Sequence, residues 1–215
     1  MKNKYDIICF DVDSTLVTCE GLDWLAQEKG VGEEVCHLTE LAMNGEVSME
    51  EVFGKKLDIL RPSKKDLDLL GEYYCSKLVE KSTDVLETLH KAGLDIYLVT
   101  GSFTPAILCL AEKLQIPEDH IHANEIYHDT FGEYRGINPN CSLTKSSGKK
   151  ECATAIGNNK KIAFVGDSVT DLATQPVVTT FIGYGGVKVR KKVKENADFY
   201  IKSESLEPLL WLILD

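Results

Sequence analysis

Ile7-Ile8-Cys9-Phe10-Asp11-Val12-Asp13-Ser14-Thr15-Leu16 decides how this chain folds. Its first four residues form a continuous apolar run of strand length. Such a run reads as a strand covered on both faces, as in a parallel α/β sheet. It stops at two aspartates one residue apart, so the carboxylates fall at a strand's carboxyl end, where open α/β sheets hold their ligand crevice. Two carboxylates this close repel, and a hard divalent cation between them relieves the repulsion. Mg²⁺ commonly takes one or two carboxylates together with substrate phosphate. One aspartate is then free to attack phosphorus and form an aspartyl-phosphate. The other can carry a proton to and from the leaving oxygen. Asp-x-Asp alone reads equally as a solvated turn after a strand, so the rest of the chain has to decide.

The 215 residues suit one domain with a substantial insertion, or one core plus a small second module. An apolar content of 43% and a charged content of 27% describe an ordinary soluble globule. A net charge of −10 argues against nucleic acid or an anionic membrane as partner. A small phosphorylated substrate stays admissible, because a local cationic site can oppose the global field. The seven cysteines are scattered, odd in number and free of any Cys-x-x-Cys pair, which reads as a reduced, cytoplasmic chain. The residues before Ile7 lead straight into the first strand and leave no room for a signal peptide. The apolar end, Leu209 to Leu214, is too short to span a bilayer and reads as a docking helix.

After Leu16 the pattern is helical over roughly 21–80, with no strand signal. Val35, Leu38, Leu41 and Ala42 recur at helical spacing, and Asn44-Gly45 ends that helix. Ser48 with Glu51 resembles a capping box, and Ser63 follows the break at Arg61-Pro62 as the next cap. Strand and helix then alternate from about residue 82. Strands are expected at 95–100, 121–127, 161–165, 180–182 and 199–201, with a small hairpin turning at 129–132. The result is a doubly wound α/β core interrupted after its first strand by a helical lid.

Two more strand ends carry chemistry. Thr100-Gly101-Ser102 reads as a hydroxyl and a tight turn opening a helix, suited to phosphate through its amides. The same residues read alternatively as simple helix caps. Gly166-Asp167-Ser168-Val169-Thr170-Asp171 places two carboxylates four residues apart, and one or both can complete a Mg²⁺ shell with Asp11. Lys149, at a helix start where the dipole disfavours cations, can offset the charge of carboxylates and phosphate. Lys188, Arg190, Lys191, Lys192 and Lys194 read as a solvated helix face. Trp24 and Phe53 read as packing within the lid or between lid and core.

Taken together, the motifs resemble the haloacid dehalogenase superfamily. Asp11-Val12-Asp13-Ser14-Thr15 is similar to its first motif and Val99-Thr100-Gly101 to its second. Lys149 and Gly166-Asp167-Ser168-Val169-Thr170-Asp171 are similar to its third and fourth. Glu20-Gly21, Leu41-Ala42-Met43-Asn44-Gly45 and Phe181-Ile182-Gly183-Tyr184-Gly185-Gly186 narrow the resemblance to the phosphoserine phosphatases, over nearly the whole chain. It implies a Rossmann-type parallel core over 1–17 and 81–215 and a helical cap over 18–80. It implies Asp11 as nucleophile, Asp13 as acid and base, and Mg²⁺ held by Asp11, Asp13 (through its carbonyl) and Asp167. Thr100, Gly101, Ser102 and Lys149 are implied to bind phosphate. Glu20, Met43, Asn44, Lys56 and Thr170 are implied to line the substrate site, and Asp171 to support the metal or Lys149. The implied substrate is O-phospho-L-serine, in serine biosynthesis, with a monomer or homodimer as the working form. Lys56 stands where the family has arginine, and Ser102 and Ser168 where it has glycine. A phosphotransferase, a phosphatase for another small phosphomonoester, and a receiver-like phospho-aspartate switch are the competing functions. The switch needs neither Asp13 nor the helical lid.

Overall fold

The computed structural model describes residues 4–44 and 46–214, without the side chains of Met43, Asn44 and Met49. Gly45 and the side chains of Met43 and Asn44, which the sequence reading places at a helix end and in the substrate site, lie outside the described residues. Strand β1 (Ile7–Phe10) is followed by four helices: α1 (Gly21–Glu28), α2 (Gly32–Asn44), α3 (Met49–Leu60) and α4 (Lys64–Ser76). Helix α5 (Ser82–Lys91) and strand β2 (Asp95–Phe103) resume the alternation, followed by α6 (Thr104–Lys113), β3 (Ile121–Asn124) and a hairpin of β4 (Ile126–His128) with β5 (Tyr134–Ile137). The chain continues through α7 (Gly148–Gly157), β6 (Ile162–Gly166), α8 (Val169–Leu172), β7 (Thr180–Tyr184), α9 (Lys191–Asn196), β8 (Phe199–Ile201) and α10 (Leu209–Ile213).

The main sheet is parallel throughout, in the order β3-β2-β1-β6-β7-β8. The order reverses beside β1, which makes the carboxyl ends of β1, β2 and β6 the crevice of a doubly wound sheet. All four residues of β1 are at most 1% exposed, as the unbroken apolar run requires. The period of two sends Ile8 and Phe10 into one core with Val85, Leu89, Ile107 and Leu209, and Ile7 and Cys9 into another with Ala153, Phe164 and Val193. Leu25, Ala26, Val35 and Leu60 form a third, smaller core inside the helical insert.

The insert leaves and returns through paired connectors. Val17 and Leu78 make an antiparallel bridge, and Val79 N donates to the Leu16 carbonyl at 2.9 Å. Ser63 and Asp66 cap α4 reciprocally. Ser48 accepts from Glu51 N at 3.2 Å, but the Glu51 carboxylate pairs with Lys55 instead of closing the box. Phe53 of α3 meets Phe103 of β2 at 5.9 Å between ring centres, while Trp24 stacks on Tyr73 within the insert.

Three expected elements change. Strand β2 runs through Phe103, and α6 begins at Thr104, so Thr100 to Ser102 is strand, not a helix-opening turn. The expected strand over 121–127 splits at Glu125, with β3 joining the main sheet and β4 the hairpin. The final helix, which the pattern places from Ser205 onward, spans only Leu209–Ile213. No helix among the described residues is long and apolar enough to cross a membrane.

Candidate active site

Just after β1 the chain coils round one carbonyl. Thr15, Leu16 and Val17 all donate to Val12 O, at 2.9–3.1 Å. Asp11 N still pairs with Val165 O at 3.0 Å, so Asp11 is the last residue tied to the sheet. Ser14 takes φ 55°, a left-handed conformation, and its hydroxyl donates to Glu20 Oε1 at 2.8 Å. This turn aims Asp11 and Asp13 into one crevice and brings Glu20 back beside them.

Lys149, in the first turn of α7 and 8% exposed, bridges the end of β1 and helix α8. Its ammonium lies 2.6 Å from Asp11 Oδ1 and 2.7 Å from Asp171 Oδ1. Burial works against the Lys149 charge, but Asp11 and Asp171 outweigh it and hold the ammonium protonated. Burial and repulsion from Asp171 push Asp11 well up, against the pull of Lys149. Asp171 packs directly over Gly166, where any β-carbon would collide with its carboxyl group. Ser168 donates through N and Oγ to Asp171 Oδ2, at 2.9 and 2.6 Å. The serine thus needs no glycine-like backbone: its φ is −109°, and it leaves Asp171 Oδ1 to Lys149.

Asp13 sits apart from that group. It accepts from Gly21 N at 2.7 Å and from the Tyr74 hydroxyl at 3.0 Å. Gly21 is required, because a β-carbon there would overlap the Tyr74 ring and hydroxyl. Burial, then repulsion from Glu20 and Asp11, pushes Asp13 up to about 8. The Tyr74 hydroxyl is also 3.1 Å from Ser102 Oγ, so the second departure from glycine adds a polar contact.

Asp11, Asp167 and Asp171 can each place one carboxylate oxygen within 4.8 Å of the others, and all three are buried. Burial and Glu20 push Asp167 up to about 7. Hard oxygen donors in excess of nearby cations suit a divalent metal ion.

One cavity of about 70 Å³ gathers most of the residues singled out in the sequence. Asp11, Asp13, Glu20, Lys56, Gly101, Ser102, Lys149, Asp167 and Thr170 line it. Thr100 stands behind the wall, fully buried, its hydroxyl accepting from Ser102 N at 3.1 Å. Lys56 reaches Asp23 Oδ1 at 3.2 Å and also contacts Thr39. Its fellow Lys55 is on the outer face with Glu51.

Sequence reasoning missed Tyr74 and Arg190. Tyr74 lies within an expected helix, and no local signal marks its hydroxyl. Arg190 was grouped with a solvated helix face, but it precedes α9 and turns inward. Its Nε donates to Asp167 Oδ2 at 2.8 Å, and its Nη2 lies 3.4 Å from Glu20 Oε1. Lys188 also reaches Glu20, at 3.3 Å, so two of the five basic residues serve this site.

The haloacid dehalogenase-like hydrolase family matches residues 5–174. The phosphoserine phosphatase of Bos taurus is 33% identical over 199 residues, 91% of this chain and 88% of that protein. A substrate-bound phosphoserine phosphatase complex superposes with a TM-score of 0.85 at 26% identity, covering 99% of this chain and 100% of the other. A phospho-aspartyl intermediate analogue of phosphoserine phosphatase gives a TM-score of 0.83 at 26% identity, covering 98% and 99%. With its strand-end aspartates, its bridging lysine and these likenesses, the chain belongs to the haloacid dehalogenase-like hydrolases and, within them, to the phosphoserine phosphatase family.

Proposed function

We propose that this chain hydrolyses O-phospho-L-serine to L-serine and phosphate through an aspartyl-phosphate on Asp11, in the cytoplasm and in serine biosynthesis. The observation that carries the reading is the single cavity lined by Asp11, Asp13, Lys149, Glu20 and Lys56. It holds a nucleophile, a proton carrier and a phosphate-directed cation, with groups of both signs for an amino acid.

Asp11 attacks phosphorus, and Lys149 holds the phosphoryl group against it while staying clamped by Asp171. Asp13, pushed up to about 8, carries a proton near neutral pH and delivers it to the leaving serine oxygen. Once deprotonated, it takes a proton from the water that hydrolyses the aspartyl-phosphate. Gly101 and Ser102 line the phosphate end, with Thr100 fixing the Ser102 amide. Glu20 meets the substrate ammonium. Lys56 meets its carboxylate as a point charge, without the bidentate fork of an arginine. Thr170 closes the wall near Asp167. Asp11, Asp167 and the Asp13 carbonyl would hold Mg²⁺, with Asp171 in support. When bound, the ion supplies charge that offsets the carboxylates and polarises the phosphoryl oxygens.

Residues 1–17 and 81–215 act as the core and 18–80 as the cap, which excludes water during the reaction. The working form is a monomer or homodimer with no nucleic-acid or membrane partner. The test is a steady-state comparison of phosphoserine with phosphothreonine and phosphoethanolamine in Mg²⁺, with and without acceptor alcohols. Phosphoserine should have the highest kcat/KM, with phosphate release unaffected by the alcohols. Equal rates on phosphoethanolamine, or transfer to the alcohol, would overturn the assignment.

A further inference from the structure

Cys75, near the end of α4, and Cys109, inside α6, bring their sulfurs to 3.0 Å. A formed disulfide spans about 2.05 Å, so closure requires a movement of only about 1 Å. The helices approach closely here because small residues line the contact. A β-carbon on Gly71, one turn before Cys75, would lie 3.3 Å from Cys109 Cβ and 3.0 Å from the Ala106 carbonyl oxygen. Lys113, one turn after Cys109, donates to the Cys75 carbonyl at 2.9 Å and holds the ends together. Both thiols are free, Cys109 exposed and Cys75 partly so. Burial, and then the neighbouring Cys109 sulfur, pushes the Cys75 thiol up to about 12. First attack on an outside oxidant therefore falls to the accessible Cys109. The residue before Cys75 is Tyr74, fully buried and in contact with Asp13 and Ser102.

We propose that Cys75 and Cys109 are a reversible dithiol–disulfide pair, closed by low-molecular-weight disulfides such as oxidised glutathione, whose closure moves Tyr74 against Asp13 and slows turnover. The effect on turnover rests on the hydrolase reading above; the crosslink does not. The Cys109 thiolate attacks one sulfur of the outside disulfide, forming a mixed disulfide and releasing one small thiol. Cys75 then loses its proton to solvent and attacks the Cys109 sulfur, expelling the second small thiol. Two protein thiols are oxidised by two electrons, and one outside disulfide is reduced to two thiols. A reducing compartment keeps the pair open, and an oxidative shift closes it.

The test treats the full chain with oxidised glutathione, alkylates the remaining thiols and maps the peptides. A Cys75–Cys109 crosslinked peptide is expected, with two fewer alkylated cysteines than the seven of the reduced chain. Phosphoserine turnover should fall at least about threefold, since displacements near 1 Å at a reacting centre are costly. Dithiothreitol should restore it. Cys109→Ser, on an exposed position of α6, should keep the reduced-state turnover and lose the response. Alkylation of both cysteines after oxidation, a persistent glutathione adduct on Cys109, or a mapped crosslink with unchanged turnover would each overturn the proposal. Reduced protein that turns over no phosphoserine overturns the hydrolase reading and, with it, the effect on turnover, whereas the peptide map tests the pair itself.

Discussion

Lys149 Nζ lies 2.6 Å from Asp11 Oδ1, joining the start of α7 to the end of β1 across 138 positions of sequence. With Asp171 Oδ1 at 2.7 Å, the same ammonium neutralises two buried carboxylates, one at the end of β1 and one in α8. Its removal leaves Asp11 and Asp171 facing one another without a cation. Lys149→Ala should lower phosphoserine turnover by about 10²–10³-fold, the scale of a lost transition-state donor. Denaturant unfolding should show a loss of about 3–5 kcal/mol, the usual cost of breaking a buried pair. Asp11→Asn should abolish turnover, because an amide is a poor nucleophile.

Asp13 and Asp167 give the metal-free protein a defined pH response. Their folded-state values, about 8 and about 7, lie above the unfolded value of about 3.9. Between those limits the folded state binds more protons than the unfolded state, so stability falls as pH rises from about 4 to about 8. Thermal melting of metal-free protein should show a falling Tm across that window. Asp13→Asn should flatten the slope and slow turnover by at least about 10²-fold. Mg²⁺ should raise Tm most at the upper end of the window, where the carboxylates are ionised.

Glu20 and Lys56 are expected to divide the recognition of the amino acid. Glu20→Gln should reduce the preference for phosphoserine over esters without an amino group. Lys56→Ala should raise KM for phosphoserine by roughly 10- to 100-fold, the scale of one charge-assisted hydrogen bond, and alter phosphoethanolamine much less. Unchanged selectivity in Glu20→Gln would remove the basis for the substrate assignment while leaving the chemistry at Asp11 intact.

Glu50 of α3 latches the helical insert to the loop before α7. Its carboxylate accepts from Ser146 N at 2.8 Å and from Ser146 Oγ at 3.1 Å. Because the pair is exposed, Glu50→Ala should raise KM by no more than about fivefold and leave global stability nearly unchanged. Stopped-flow substrate binding should locate the change in the dissociation rate.

The parallel core was legible because β1 and β6 are apolar without interruption, and only a sheet covered on both faces tolerates that. Asp11 and Asp167 were legible because each follows such a run directly, and Asp13 because it stands two residues after Asp11. The insert was legible from its helical periodicity and from the caps at Ser48 and Ser63. Tertiary contacts decided the rest. Tyr74 reaches Asp13 because Gly21 leaves room, and Arg190 turns onto Asp167 because it precedes α9 instead of lying on its outer face. The extension of β2 through Phe103 is set by pairing with β3, which no local propensity encodes. Sequence alone determined which residue types end each strand, since burial dictates the pattern along an element. Which of them touch, and which proton or charge each holds, was decided only when elements distant along the chain packed together and excluded water between them.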